Sequence, residues 1–171
     1  MWWNKPPRAE PVRVLVRHAD AGLGSAWCGA DEWRGLADVG HRQARTLVSM
    51  LADRTVLRIL SSPSLRCRQT VLPLALAYAV DVEQCWQLGP GAGAEDAMGL
   101  ISDPQTASSV ICTHQETLQA LFERLAGPHH AAVMRTSVPM EPAAVWILRG
   151  VVGGARPLRA EYLGSAAGLV A

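Results

Sequence analysis

The sequence predicts an α/β fold on a mainly parallel sheet, and three observations carry that prediction. Short apolar runs alternate with stretches of helical periodicity, as strands alternate with helices in βαβ units. The runs end in glycine, proline or polar residues, which punctuate elements. No internal repeat and no linker divides the 171 residues, a length that suits one domain with one substantial core.

The composition narrows the function classes. Hydrophobic residues make up 49% and charged residues 18%, a globular balance. The formal net charge of +1 supplies no global field for nucleic acid or a membrane surface, so any anion site must be local. The opening stretch MWWNKPPRAEP, read as an N-terminal tail over 1–11, is broken by Pro6, Pro7 and Pro11 and has no apolar core of signal-peptide length. No apolar stretch reaches the ~18 residues of a membrane span. Cys28, Cys67, Cys85 and Cys112 form no C-x-x-C pair, so neither a disulfide framework nor a zinc site is expected; reduced, packed thiols in the cytoplasm are.

The elements follow in order across a single domain, 12–171. Val12–Val16 reads as an apolar strand covered on both faces. Residues 18–36 form a long irregular stretch with Trp27 and Trp33, which are expected to pack it to the body. Asp38 reads as the N-cap of a helix with Val39, Leu47, Val48 and Leu51 on one face and Arg42 and Arg45 opposite; His41 is placed on its surface. A strand over 56–62 precedes a helix from Ser64 that Pro73 should kink or divide. A strand in VDVEQCW leads through GPGAGAED, read as a turn, to a helix near 94–102. A buried strand over 108–113 and an amphipathic helix ending at Gly127-Pro128 come next, with His129-His130 exposed beyond it. A hairpin across Gly153-Gly154 closes the chain.

In parallel sheets ligands gather beyond the carboxyl ends of the strands. Here those exits deliver Arg17 and His18, then Arg66 in the first turn of its helix, then His114. Two guanidiniums and two imidazoles from separate parts of the chain suit a compact polyanion such as phosphate, and a helix N-terminus adds free N–H groups.

The stretches LVRHA, SSPSLRCRQT and VICTHQETL, in this order, resemble the signatures of the histidine phosphatase superfamily, which includes the cofactor-dependent phosphoglycerate mutases; LADVGHRQA resembles the start of that family's first helix. The resemblance implies a three-layer αβα sandwich, phosphoglycerate mutase-like, with a mostly parallel central sheet and a C-terminal hairpin. It implies a phosphatase in which His18 is phosphorylated while Arg17, Arg66 and His114 bind the phosphoryl group. His18 and His114 are the catalytic pair. No metal or cofactor is implied, and the sequence displays no metal-ligand cluster. The partner is then a small phosphorylated metabolite, a nucleotide or a phosphohistidine protein, with no nucleic acid and no membrane. The alternative is a phosphate-binding module with little turnover.

Two departures qualify the resemblance. Ala19 stands where many relatives carry glycine. Gly89 and Pro90 stand where many carry the glutamate that protonates the leaving group; Glu95 and Asp20 are substitutes that no motif places. The short chain resembles the compact phosphohistidine phosphatases more than the longer mutases.

Overall fold

A six-stranded sheet in the order β3-β2-β4-β1-β5-β6 carries the structure, a computed structural model that describes residues 10–126, 139–152 and 158–169. Its strands are β1 (Val12–Arg17), β2 (Arg58–Ser61), β3 (Val82–Gln84), β4 (Ser109–Thr113), β5 (Ala144–Arg149) and β6 (Arg159–Ser165). The helices are α1 (Asp38–Met50), α2 (Leu65–Tyr78), α3 (Ala94–Ser102) and α4 (Gln115–Leu125). β3, β2, β4 and β1 run parallel, and β5 and β6 form the antiparallel pair that closes the other side.

Alternation along each central strand separates two cores. Val14, Val16, Ile59 and Val110 face α1 and α2, meeting Leu47, Leu51, Val71 and Leu74. Leu15, Leu60 and Ile111 face the opposite layer of α3 and α4, with Ile101, Leu118 and Phe122. The layers are therefore helix, sheet and helix, as the family resemblance implies. Each fully buried aliphatic side chain contributes roughly 1.5–3 kcal/mol, so the central strands are held more firmly than any loop they emit.

Several details differ from the sequence reading. The β1 run is not wholly apolar: Arg13 is buried within it. Its Nε donates to Thr106 Oγ1 (2.8 Å) and its Nη2 to the Asp103 carbonyl (2.9 Å), so packing accepts a charge whose donors are met. Ala37, not Asp38, is the N-cap of α1, and Asp38 lies in the first turn, where a carboxylate favours the helix dipole. α2 runs undivided through Pro73, because Val71, Leu74 and Ala75 bury against the sheet and packing outweighs one lost hydrogen bond. β3 is only three residues long.

Trp27 and Trp33 do not pack their loop to the body. They are 43% and 59% exposed, and the Trp27 indole N–H donates to Ala30 O within the loop itself. The turn expected at Gly153-Gly154 and the pair His129-His130 lie outside the described residues. No helix among the described residues is long and apolar enough to cross a membrane.

Candidate active site

Sheet register brings the expected cations together. Arg17 pairs with Thr113 at the ends of β1 and β4, so His18 and His114 leave the sheet as neighbours. The His18 backbone N–H donates to Thr113 O (3.0 Å), and that of Ser62, just past β2, donates to Cys112 O (3.0 Å). Arg66 follows in the first turn of α2. Arg17, His18, Arg66 and His114 all line one cleft of about 630 Å³.

His18 is held for one kind of chemistry. Its Nδ1 lies 2.8 Å from the Ala19 carbonyl, which can only accept, so Nδ1 carries the proton and Nε2 keeps its lone pair. Burial, opposed by that carbonyl and reinforced by His114, Arg66 and Arg17, pushes the pKa down to about 3. The ring is therefore neutral, as a nucleophile must be. Its centroid stands 5.4 Å from that of His114, edge to face.

The His114 ring is gripped at both nitrogens. Arg66 Nη2 donates to its Nδ1 (3.3 Å), which leaves Nε2 to donate to Ser62 Oγ (2.8 Å). Arg66 is only 4% exposed. Its Nη1 donates to the Asp31 carbonyl (2.7 Å), and its Nη2 meets Asp31 Oδ2 at 2.8 Å. Arg17 donates from Nη1 to the Met140 carbonyl. Burial lowers its pKa, while Glu116, Asp20 and Glu141 oppose that shift. The Nε–H groups of Arg17 and Arg66 are buried without a partner among the described residues. An unmet buried donor costs about 1–3 kcal/mol, and an oxyanion between two guanidiniums is the ligand that meets such donors.

A second set of residues fixes the loop after the nucleophile. The Ala19 N–H donates to Thr70 Oγ1 (2.9 Å) and the Asp20 N–H to Gln43 Oε1 (2.9 Å). The Leu36 N–H donates to Gln69 Oε1 (2.8 Å). Gly40 is required by contact: a Cβ there would stand 2.0 Å from the Asp20 carbonyl oxygen, which accepts from the Ala37 N–H. These side chains explain the spacing in VGHRQA and RCRQT as a brace between two helices and the loop.

Three carboxylates reach the cleft: Asp20, Asp31 and Glu116. Of the two substitutes suggested by sequence, only Asp20 is among them. Glu95 is corrected: its Oε1 pairs with Arg124 Nε at 2.7 Å on an exposed surface. The stretch after β3 contributes Pro90, Gly91 and Ala92 to the cleft and no carboxylate. Sequence reasoning missed Ser62, Asp31 and Glu116. Glu116 had a readable signal, two residues after His114 in the first turn of α4. Asp31 had none, because only loop geometry carries it to Arg66.

Two arginines and two histidines gathered at one cleft suit the binding of a phosphoryl group. The family model of the histidine phosphatase superfamily (branch 1) matches residues 14–89 of the chain. A candidate phosphohistidine phosphatase, SixA of Agrobacterium tumefaciens, is similar at 27% identity and a TM-score of 0.64, over 82% of this chain and 91% of that one. The protein histidine phosphatase SixA complexed with tungstate superposes with a TM-score of 0.72 at 20% identity, over 92% and 99% of the two chains. A mycobacterial glucosyl-3-phosphoglycerate phosphatase with inorganic phosphate gives 0.67 at 17% identity, over 92% and 99%. The last two likenesses show the shared fold.

Proposed function

We propose that the protein is a metal-independent phosphatase working through a phosphohistidine at His18. The observation that carries this reading is the His18 ring, held neutral with Nδ1–H on the Ala19 carbonyl and Nε2 unprotonated beside Arg17 and Arg66. In the first step Nε2 attacks phosphorus and the bond to the leaving group breaks. Water then attacks the phosphoenzyme and releases phosphate, so one difficult displacement becomes two easier ones. Arg17, Arg66 and His114 border the position where negative charge is spread over the equatorial oxygens.

The substrate reading rests on the acid. The stretch after β3 puts no carboxylate in the cleft, and alkoxide departure benefits from a proton donor by typically ~10²–10⁴-fold. Phosphoramidates such as phosphohistidine, and nucleotide anhydrides, have better leaving groups. We therefore place them ahead of sugar phosphates and phosphoglycerate, and the similarity to the SixA phosphohistidine and protein histidine phosphatases supports phosphohistidine. A cytoplasmic location fits the four free cysteines.

One observation favours the rival, a phosphate-binding module with little turnover: the stretch after β3 brings no carboxylate to the cleft to protonate a leaving group. An aryl phosphate decides between them, because its leaving group needs little protonation. Turnover with trapping of acid-labile, base-stable phosphate on the protein supports the enzyme. Anion binding without hydrolysis of aryl phosphate, phosphohistidine peptide or nucleotides supports the rival.

A further inference from the structure

The arginine best placed to clamp a phosphoryl group is already holding an anion supplied by the chain. Asp31 sits in a single short helical turn, Asp31–Trp33, within a stretch whose residues 22–33 are all exposed. That turn reaches into the cleft and gives Arg66 both a carbonyl (2.7 Å) and a carboxylate oxygen (2.8 Å). The two carboxylate oxygens go to different arginines: Oδ2 faces Arg66 Nη2, and Oδ1 accepts from Arg34 Nε at 2.8 Å. Arg34 is itself fixed, its Nη1 donating to the carbonyls of Ala21 (3.0 Å) and Gly22 (3.3 Å).

We propose that Asp31 is a built-in competitor for the phosphoryl group, and that substrate binds by taking Arg66 from Asp31 while Arg34 keeps the displaced carboxylate. The proposal rests on the reading of Arg66 as a phosphoryl ligand. A carboxylate and a phosphoryl oxygen make the same charge-assisted contact with a guanidinium, so they exclude one another at Arg66 Nη2. Arg34 makes the exchange inexpensive, because Asp31 never loses all its cationic partners. The exchange also alters His114, since Nη2 is the group that donates to its Nδ1. Removing the competitor raises the fraction of protein able to bind, and apparent affinity rises with that fraction.

The test is calorimetric titration of the full chain with inorganic phosphate, comparing wild type with Asp31→Asn and Asp31→Ala. Asp31 is 58% exposed at its side chain, so neither change threatens the core. Both variants are expected to bind phosphate at least ~5-fold more tightly than wild type. Unchanged or weaker binding in both overturns the proposal. Weaker binding in Asp31→Ala that Asp31→Asn restores to wild type also overturns it, and makes Asp31 a residue that positions Arg66 through a hydrogen bond. Tighter binding without any phosphoenzyme leaves the competitor standing and removes the catalytic reading. No phosphate binding by any of the three proteins removes both.

Discussion

Two regions share the cleft and are built in opposite ways. The strand exits deliver Arg17, His18 and His114 from β1 and β4, whose central residues are fully buried and whose register fixes where each side chain emerges. The loop over 20–36 delivers Asp20, Asp31 and Arg34 from an exposed stretch held by a few side-chain hydrogen bonds. The residues proposed to act on the phosphoryl group sit at strand exits and, for Arg66, in the first turn of α2. Two of the three carboxylates at the cleft, Asp20 and Asp31, sit on the loop, and Glu116 sits on α4. The difference suggests a division between fixed chemistry and adjustable access, since loops draw on the low end of local stability.

The sharpest way to break this comparison is at the nucleophile. His18→Ala is expected to lower kcat/KM on an aryl phosphate by at least ~10³-fold and to abolish phosphoenzyme labelling, since the covalent route vanishes. Retained labelling at wild-type rate would place the nucleophile elsewhere.

Arg66→Lys tests the fixed clamp next. A point ammonium cannot reproduce planar, two-pronged contacts, so a loss of at least ~10-fold in kcat/KM is expected, about 1.4 kcal/mol of transition-state stabilisation. A variant within twofold of wild type takes Arg66 out of the reaction.

The burial of His18 makes a statement about stability and pH. Its folded pKa of about 3 lies below the ordinary 6.5, so between those values the unfolded chain binds more protons than the folded one. Stability contributed by this group therefore falls as pH drops from 6.5 towards 3, by at most ~1.4 kcal/mol per unit. Urea unfolding of wild type and His18→Asn should diverge over that window, wild type losing more on acidification. Parallel curves would mean that the ring titrates normally.

Gly40→Ala probes the brace between the regions. A methyl group 2.0 Å from the Asp20 carbonyl oxygen must push the loop away from α1, at a cost of about 1–3 kcal/mol. Denaturant midpoints measure it, and activity should fall as well because Asp20 lies two residues past His18. The smallest effect is expected at Glu95→Gln, which removes only an exposed ion pair with Arg124. kcat/KM within twofold of wild type agrees with a position off the cleft; a large loss would restore Glu95 as the acid.

The sequence by itself determined the order of strands and helices, the two-sided burial of the central strands, and the four candidate residues, Arg17, His18, Arg66 and His114, that the structure brings to one cleft. Those features are encoded locally: apolar period marks β1 and β4, and a cation at the end of such a run is visible without knowing its neighbours. Gly40, Gln43, Gln69 and Thr70 were legible as motif residues, but their purpose was not, because each acts on a backbone group that a different segment brings to it. Only the tertiary structure decided which carboxylates face the cleft. Glu95 and Asp31 are equally plain in the sequence, yet one pairs with Arg124 outside the cleft and the other with Arg66 inside it. The physical reason is that an exposed polar residue finds its partner through long-range closure of the chain, and no periodicity records where that closure leaves it.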